Sequence, residues 1–294
     1  MTTSKFSNIA VDRRTMLHGV GGFSLLAAST AMAAGSLQPT RQANAVSALF
    51  LDTPQEHLEA YIKLQASTEP EVDCPWWYEG KIYGVRNGEP ARPLVRFEGL
   101  EAYWPTKDED GSYLLQGNTL TFFRDFETNE MIYKFDNPYT GKTNEVKPNI
   151  LGGGLGLRHT VDGIYWEGMK DKSPSGRLSF EWMAAGDMII LKSARVFPEG
   201  VPLIEAQTMF APLKEFEDSD MTRFNSGFAS TYIAPWLTWM DMRGDRGQTI
   251  WHAFGRKLGS IDELPTEYRE RAEREHPKRL SGRPGAESRT PEGM

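Results

Sequence analysis

The chain has 294 residues, 33 of them basic and 40 acidic, for a net charge of −7. So acidic a chain is ill suited to nucleic acid, whose phosphates need bases, and to an anionic membrane surface. The single cysteine, Cys74, allows no intramolecular disulfide, so stability must come from the core; within DCPWW it reads as a small buried hydrophobe. Eight Trp, ten Tyr and fifteen Phe supply that core, and can also line a pocket for a flat apolar ligand.

The N-terminus reads as a leader. Arg13-Arg14 precede Thr15-Met16-Leu17 and an apolar stretch to Ala34 that is diluted by Gly19, Gly21, Gly22, Ser24 and Ser29. This order is similar to the twin-arginine export signal of bacteria, and the dilution argues against a permanent transmembrane helix. Cleavage sites of the small-x-small type follow at Ala31-Met32-Ala33 and Ala43-Asn44-Ala45; the second is preferred because 35–42 is a polar linker. Residues 1–45 are therefore expected to be signal peptide and linker, recognised by the twin-arginine export machinery and directing the chain to the periplasm. Removing them takes away Lys5, Arg13, Arg14, Arg41 and Asp12 and moves the net charge to −10.

LDTPQEHLEAYIKLQ (51–65) predicts a helix with Thr53 at the N-cap, Pro54 at the first position and Glu56 closing a capping box. Leu58, Tyr61 and Ile62 form its apolar face, and His57 is expected in solvent. After Pro75 short alternating runs bounded by Gly, Asn, Asp and Pro predict strands. They lie near 76–86, 92–104, 112–126, 131–137, 143–147, 157–161, 164–169, 177–183, 188–197, 203–211 and 227–234. GGGLG (152–156) reads as a turn, since no helix follows it to cradle a phosphate. SIDELPTEYRERAEREH (260–276) predicts a charged helix with Ser260 and Glu263 in a capping box and pairs Glu267–Arg271 and Glu270–Arg274. Residues 277–294 have the composition of a disordered tail. The expected fold is all-β with minor helices: an antiparallel barrel over 46–261, then the charged helix and tail over 262–294.

Two hairpins can be faced. In LRHTVDGIYWE the turn Asp162-Gly163 pairs His159 with Trp166 and places Leu157, His159, Val161, Ile164 and Trp166 on the inner face. His159 is then either a core histidine satisfied by backbone or a general acid/base in an apolar pocket. In NTLTFFRDFETNEMIYKFD a loop at 127–130 places Arg124 opposite Tyr133 and Phe122 opposite Phe135 on one apolar face, with Thr121, Phe123 and Asp125 in solvent. A cation on such a face needs a partner. Arg124 either reaches a rim or anchors a carboxylate, phenolate or enolate. Trp182 alternates inward with Leu178 and Phe180. Trp236 and Trp239 read as core or lid, and His252 in TIWHAF carries no assignment. No cofactor motif and no metal-ligand spacing occurs.

WWYEGKIYG (76–84), LVRFEGLEAY (94–103) and FFRDFETNEMIYKFDNPYTGK (122–142), with the leader, resemble a bacterial family known as domain of unknown function 1838. The chief cue is Asp125, a short turn, Phe135 and then Asn137-Pro138-Tyr139-Thr140-Gly141. The turn reads Thr128-Asn129-Glu130 where the pattern has Thr-Gly-Glu. The resemblance covers most of 50–260, implies an all-β domain analogous to lipocalin-like barrels, and brings no catalytic residues with it.

These readings lead to an exported, cofactor-independent lyase or isomerase acting on a hydrophobic phenolic molecule. His159 is the acid/base, Arg124 with Tyr133 holds an oxyanion, and Trp166, Trp182, Phe122 and Phe135 bind the ring. Carbon–carbon cleavage of the retro-aldol kind fits such a site. The alternatives are a periplasmic carrier using the same pocket and an assembly partner using the charged helix. A homo-oligomer is compatible with either.

Overall fold

The computed structural model describes residues 51–167, 180–196 and 204–283. The expected leader and the last eleven residues lie outside these. So do residues 177–179 of one expected strand, and Trp166 is described by its backbone alone.

Helix α1 (Pro54–Gln65) starts as its sequence dictates. The Thr53 hydroxyl accepts from Glu56 N, and the Glu56 carboxylate accepts from Thr53 N. Its other end is closed by an unusual partner. Lys257 is buried and donates to Lys63 O at 2.7 Å and Ala66 O at 2.9 Å, so an ammonium caps the carbonyl end of the helix. Burial pushes that ammonium well below the usual lysine range.

Among the described residues twelve strands follow: β1 (Cys74–Val85), β2 (Arg92–Lys107), β3 (Tyr113–Asp125), β4 (Lys134–Asp136), β5 (Thr143–Glu145), β6 (Asn149–Thr160), β7 (Gly163–Trp166), β8 (Glu181–Ala185), β9 (Met188–Val196), β10 (Ile204–Pro212), β11 (Gly227–Ala234) and β12 (Gln248–Lys257). Ten of them form one antiparallel sheet in the order β7-β6-β3-β2-β1-β12-β11-β10-β9-β8. The chain runs outward from β1 to one edge, then inward from the other edge to β12. The halves join where β1 meets β12, from Trp76–Lys257 to Val85–Gln248. The short helix α2 (Leu213–Phe216) follows β10, and α3 (Thr266–Glu275) follows β12.

The fold is therefore mostly antiparallel sheet with a few helices, as expected. Among the described residues the end strands β7 and β8 are not hydrogen-bonded to each other. Tyr61 of α1 touches residues near both ends: its ring is 5.6 Å from His159 on β6 and 5.5 Å from Phe180 just before β8. Both faces of the sheet are covered near β2 and β3. The inner face packs on α1 and on a helical turn carrying Trp239. On the outer face Leu100, Leu120 and Phe122 pack under Leu264, Tyr268 and Ala272. Tyr268 Oη donates to Leu120 O at 2.6 Å and accepts from Leu100 N at 3.0 Å, tying α3 to β2 and β3.

Several expectations are corrected. GGGLG lies within β6, not in a turn. His57 is half-buried, and its Nδ1 accepts from Trp182 Nε1 at 3.0 Å. Ser260 caps a separate 3-10 turn, because Pro265 breaks the run before α3 begins. Arg271 pairs with Glu275 at 2.9 Å, and Glu267 pairs with Arg124 across the sheet.

Candidate functional site

The β6–β7 hairpin turns one residue earlier than expected. His159 lies opposite Ile164, and Leu157 opposite Trp166, with Val161 and Asp162 at the tip. His159 still faces inward. It is 2% exposed, its Nδ1 lies 3.0 Å from Leu157 O, and it packs on Tyr61. Trp182 is on the same inner side, against His57 and Phe216.

The second hairpin differs more. Asp125 accepts from Glu127 N and Thr128 N, and Asn129 takes a left-handed φ of 61°. This closes a tight turn and sets Arg124 opposite Met131, not Tyr133. Asn129 here supplies the conformation that glycine takes most readily. The chain then leaves the sheet, and β4 pairs with β5 alone. The Asn-Pro-x-Thr-Gly run is the loop of that hairpin. Asn137 is buried, accepts from Tyr139 N and donates to Met240 O at 3.1 Å, so the motif docks the hairpin onto the inner core.

Arg124 faces outward. Its guanidinium donates to Glu98 Oε1 at 2.6 Å, to Glu267 Oε2 at 3.0 Å and to Asn129 O at 3.0 Å. Burial raises the Glu98 carboxyl above its ordinary value, and Arg124 pulls it back down. Tyr133 is 60% exposed, Phe122 lies beneath Tyr268, and Phe135 packs on Trp239 in the inner core. Phe123, expected in solvent, is buried inside with Thr121. The expected constellation is thus not brought together: His159 and Trp182 are on one face of the sheet, Arg124, Phe122 and Tyr133 on the other.

The outer face carries a different constellation. A groove of about 990 Å³ lies across β1, β2 and β9–β12, bordered by Arg124 and Asn129. In it His252 of β12 stands opposite Lys81 of β1 on one side and Thr231 of β11 on the other. Thr231 Oγ1 is 3.0 Å from His252 Nδ1, which leaves Nε2 available to a ligand. The Tyr83 ring meets His252 edge-on at 5.9 Å and Phe126 at 5.5 Å. Phe254, one alternation along from His252, is 57% exposed. When Nδ1–H donates to Thr231, Nε2 presents a lone pair and acts as a base. With the hydroxyl donating instead, Nε2–H is a hydrogen-bond donor.

A family model for "Protein of unknown function (DUF1838)" matches residues 72–148 and 200–288, more than half of the chain. The chain belongs to this family. The DUF1838 match spans β1–β5 and β10 through α3, and so contains Lys81, Arg96, Thr231, His252 and Phe254 of the groove. Its interruption contains His159, Trp166 and Trp182. No curated protein and no solved structure is significantly similar to the chain.

The sequence reading missed His252 because it assigned no strand to 248–257. The signal was present: Thr249, Trp251 and Ala253 alternate with Ile250, His252 and Phe254, and the first set is buried.

Proposed function

We propose that this DUF1838 protein is a non-redox enzyme acting by acid/base chemistry on a hydrophobic phenolic molecule in the outer groove. The observation that carries this reading is His252, held at Nδ1 by Thr231 beside Lys81 and flanked by the rings of Tyr83 and Phe254. A phenol ring would rest against these rings, with its reacting hydroxyl at His252 Nε2 and developing negative charge facing Lys81. In a retro-aldol cleavage His252 would take the proton of a hydroxyl β to an activated carbon. The carbon–carbon bond would break to release a carbonyl product. Its electron pair would pass into the conjugated system, and His252 would return the proton.

The finer architecture belongs to the same proposal. We read the curled sheet as a lipocalin-like barrel whose wall is completed at the β7–β8 seam by α1, on the strength of the Tyr61 contacts to both sides. The twin-arginine leader would place the chemistry in the periplasm.

One observation favours the carrier as a second reading: the groove is open, and Phe254 is largely in solvent, whereas catalysis gains from excluding water. Incubation with a panel of phenolic compounds, followed by mass spectrometry, separates the two. The enzyme reading predicts a mass-shifted product whose formation falls by about 10²-fold or more in His252→Gln, the loss typical for a general acid/base. Binding without turnover in the unaltered chain would support the carrier. Turnover untouched in His252→Gln but lost in His159→Ala would move the site to the interior.

A further inference from the structure

The basic side chains of the groove lie in one row. Arg124 on β3, Arg96 on β2, Lys81 on β1 and His252 on β12 stand opposite one another in successive strand pairs. Neighbouring strands are about 4.8 Å apart, so three fixed cations and an imidazole share a line of about 14 Å. Like charges opposite one another across a ladder destabilise it. The chain as a whole has seven more acids than bases, so a basic row of this length runs against its composition.

Compensation within the row is uneven. Arg124 is committed to Glu98 and Glu267. Arg96 donates Nε to Phe126 O at 2.7 Å and lies over the Phe126 ring, with Lys81 over the same ring at 5.4 Å. Among the described residues neither Arg96 nor Lys81 has a carboxylate within ion-pair distance. Glu79, the groove's other acid, stands one row away, opposite Glu98 and Phe254. Two cations in register therefore face the groove outside any ion pair, beside exposed aromatic surface; Asp125 acts on Arg96 only at longer range.

The geometry points to a ligand that brings the missing charge: an aromatic acid. Its carboxylate sits between Lys81 and Arg96, where an ammonium and a planar guanidinium fork both reach it. Its ring runs toward Tyr83 and His252. This inference rests on the groove being the working site, and it deepens that reading by naming the substrate as an anion. It also accounts for the row: the repulsion present in the free protein is relieved when the ligand binds.

The test is calorimetric titration of the full chain with 4-hydroxybenzoate and with its uncharged methyl ester, at low ionic strength. The acid is expected to bind at least about tenfold more tightly than the ester, the equivalent of one charge-assisted hydrogen bond. Lys81→Gln and Arg96→Gln should each weaken the acid about tenfold and leave the ester unchanged. Lys81→Gln without ligand should melt about 1–2 °C higher, because a like-charge neighbour is gone, whereas Arg96→Gln also loses its bond to Phe126 O and is read by affinity alone. Equal affinity for acid and ester would overturn the anion site while leaving the groove as an aromatic site. Binding of neither compound would overturn both. A Lys81→Gln variant that melts lower than the parent would show that the row is structural, and would also overturn it.

Discussion

Arg124 illustrates how one residue can be read correctly as a problem and wrongly as its solution. A cation on an apolar face needs a partner, and the sequence placed Arg124 on such a face. The partners are Glu98, one strand away, and Glu267, 143 residues further on. Neither can be deduced from local alternation, because Glu267 arrives only when α3 folds back onto β3. The pair also makes a pH prediction. In Arg124→Met, burial, with the nearby Glu267 and Glu79 carboxylates, acts on Glu98 unopposed and holds its carboxyl further above the ordinary value of 4.5. A carboxyl raised in the folded state favours folding when protonated. That contribution is complete below the unfolded value and is lost as pH rises through the folded one. Since Glu98 and Arg124 side chains are 9% and 11% exposed, the variant should lose about 3 kcal/mol at pH 7 and distinctly less at pH 4.5. Urea unfolding of both proteins at both pH values measures this. An equal loss at the two pH values would contradict it.

At the scale of elements, most strands were legible because period-two alternation and turn residues marked them. Helix α1 was legible to the residue, since Thr53, Pro54 and Glu56 satisfy its first amides locally. Turns fared worse. Whether Asp162-Gly163 or Val161-Asp162 is the tip shifts the pairing by one residue, and whether Asn129 takes a left-handed conformation shifts Arg124 by two partners. The largest omission, β12, is a central strand that pairs with β1, far earlier in the chain, and with β11 across the long connection 235–247, so no tight-turn signal announces it. Exposure was misjudged at Phe123 and Thr121 because alternation shows that two faces differ, not that one is wet; here both are covered. One hydroxyl helps fasten the covering of the outer face. Tyr268→Phe strands Leu100 N–H and Leu120 C=O in a buried setting and should cost about 1–3 kcal/mol. The expected readout is a lower urea midpoint with an unchanged denaturant slope. An unchanged midpoint would mean that the two strands re-form a direct bond.

At the scale of the whole molecule, the sheet places charge and aromatic surface on its outside at β1 and β12, where the two halves of the chain meet. The interior is filled by α1, the buried histidine and a layer of tryptophans. Residue types alone pointed toward His159, since it sits among apolar residues. The register instead gathers Lys81, Thr231 and His252, from strands far apart in sequence, on the opposite face. Function therefore turns on which face of the sheet receives the ligand. Backbone amide chemical shifts of the full chain, recorded during titration with 4-hydroxybenzoate, decide this directly. The largest changes are expected at Lys81, Arg96, Thr231, His252 and Phe254. Changes centred on Tyr61, Tyr113 and His159 would place the ligand inside the sheet and contradict the account.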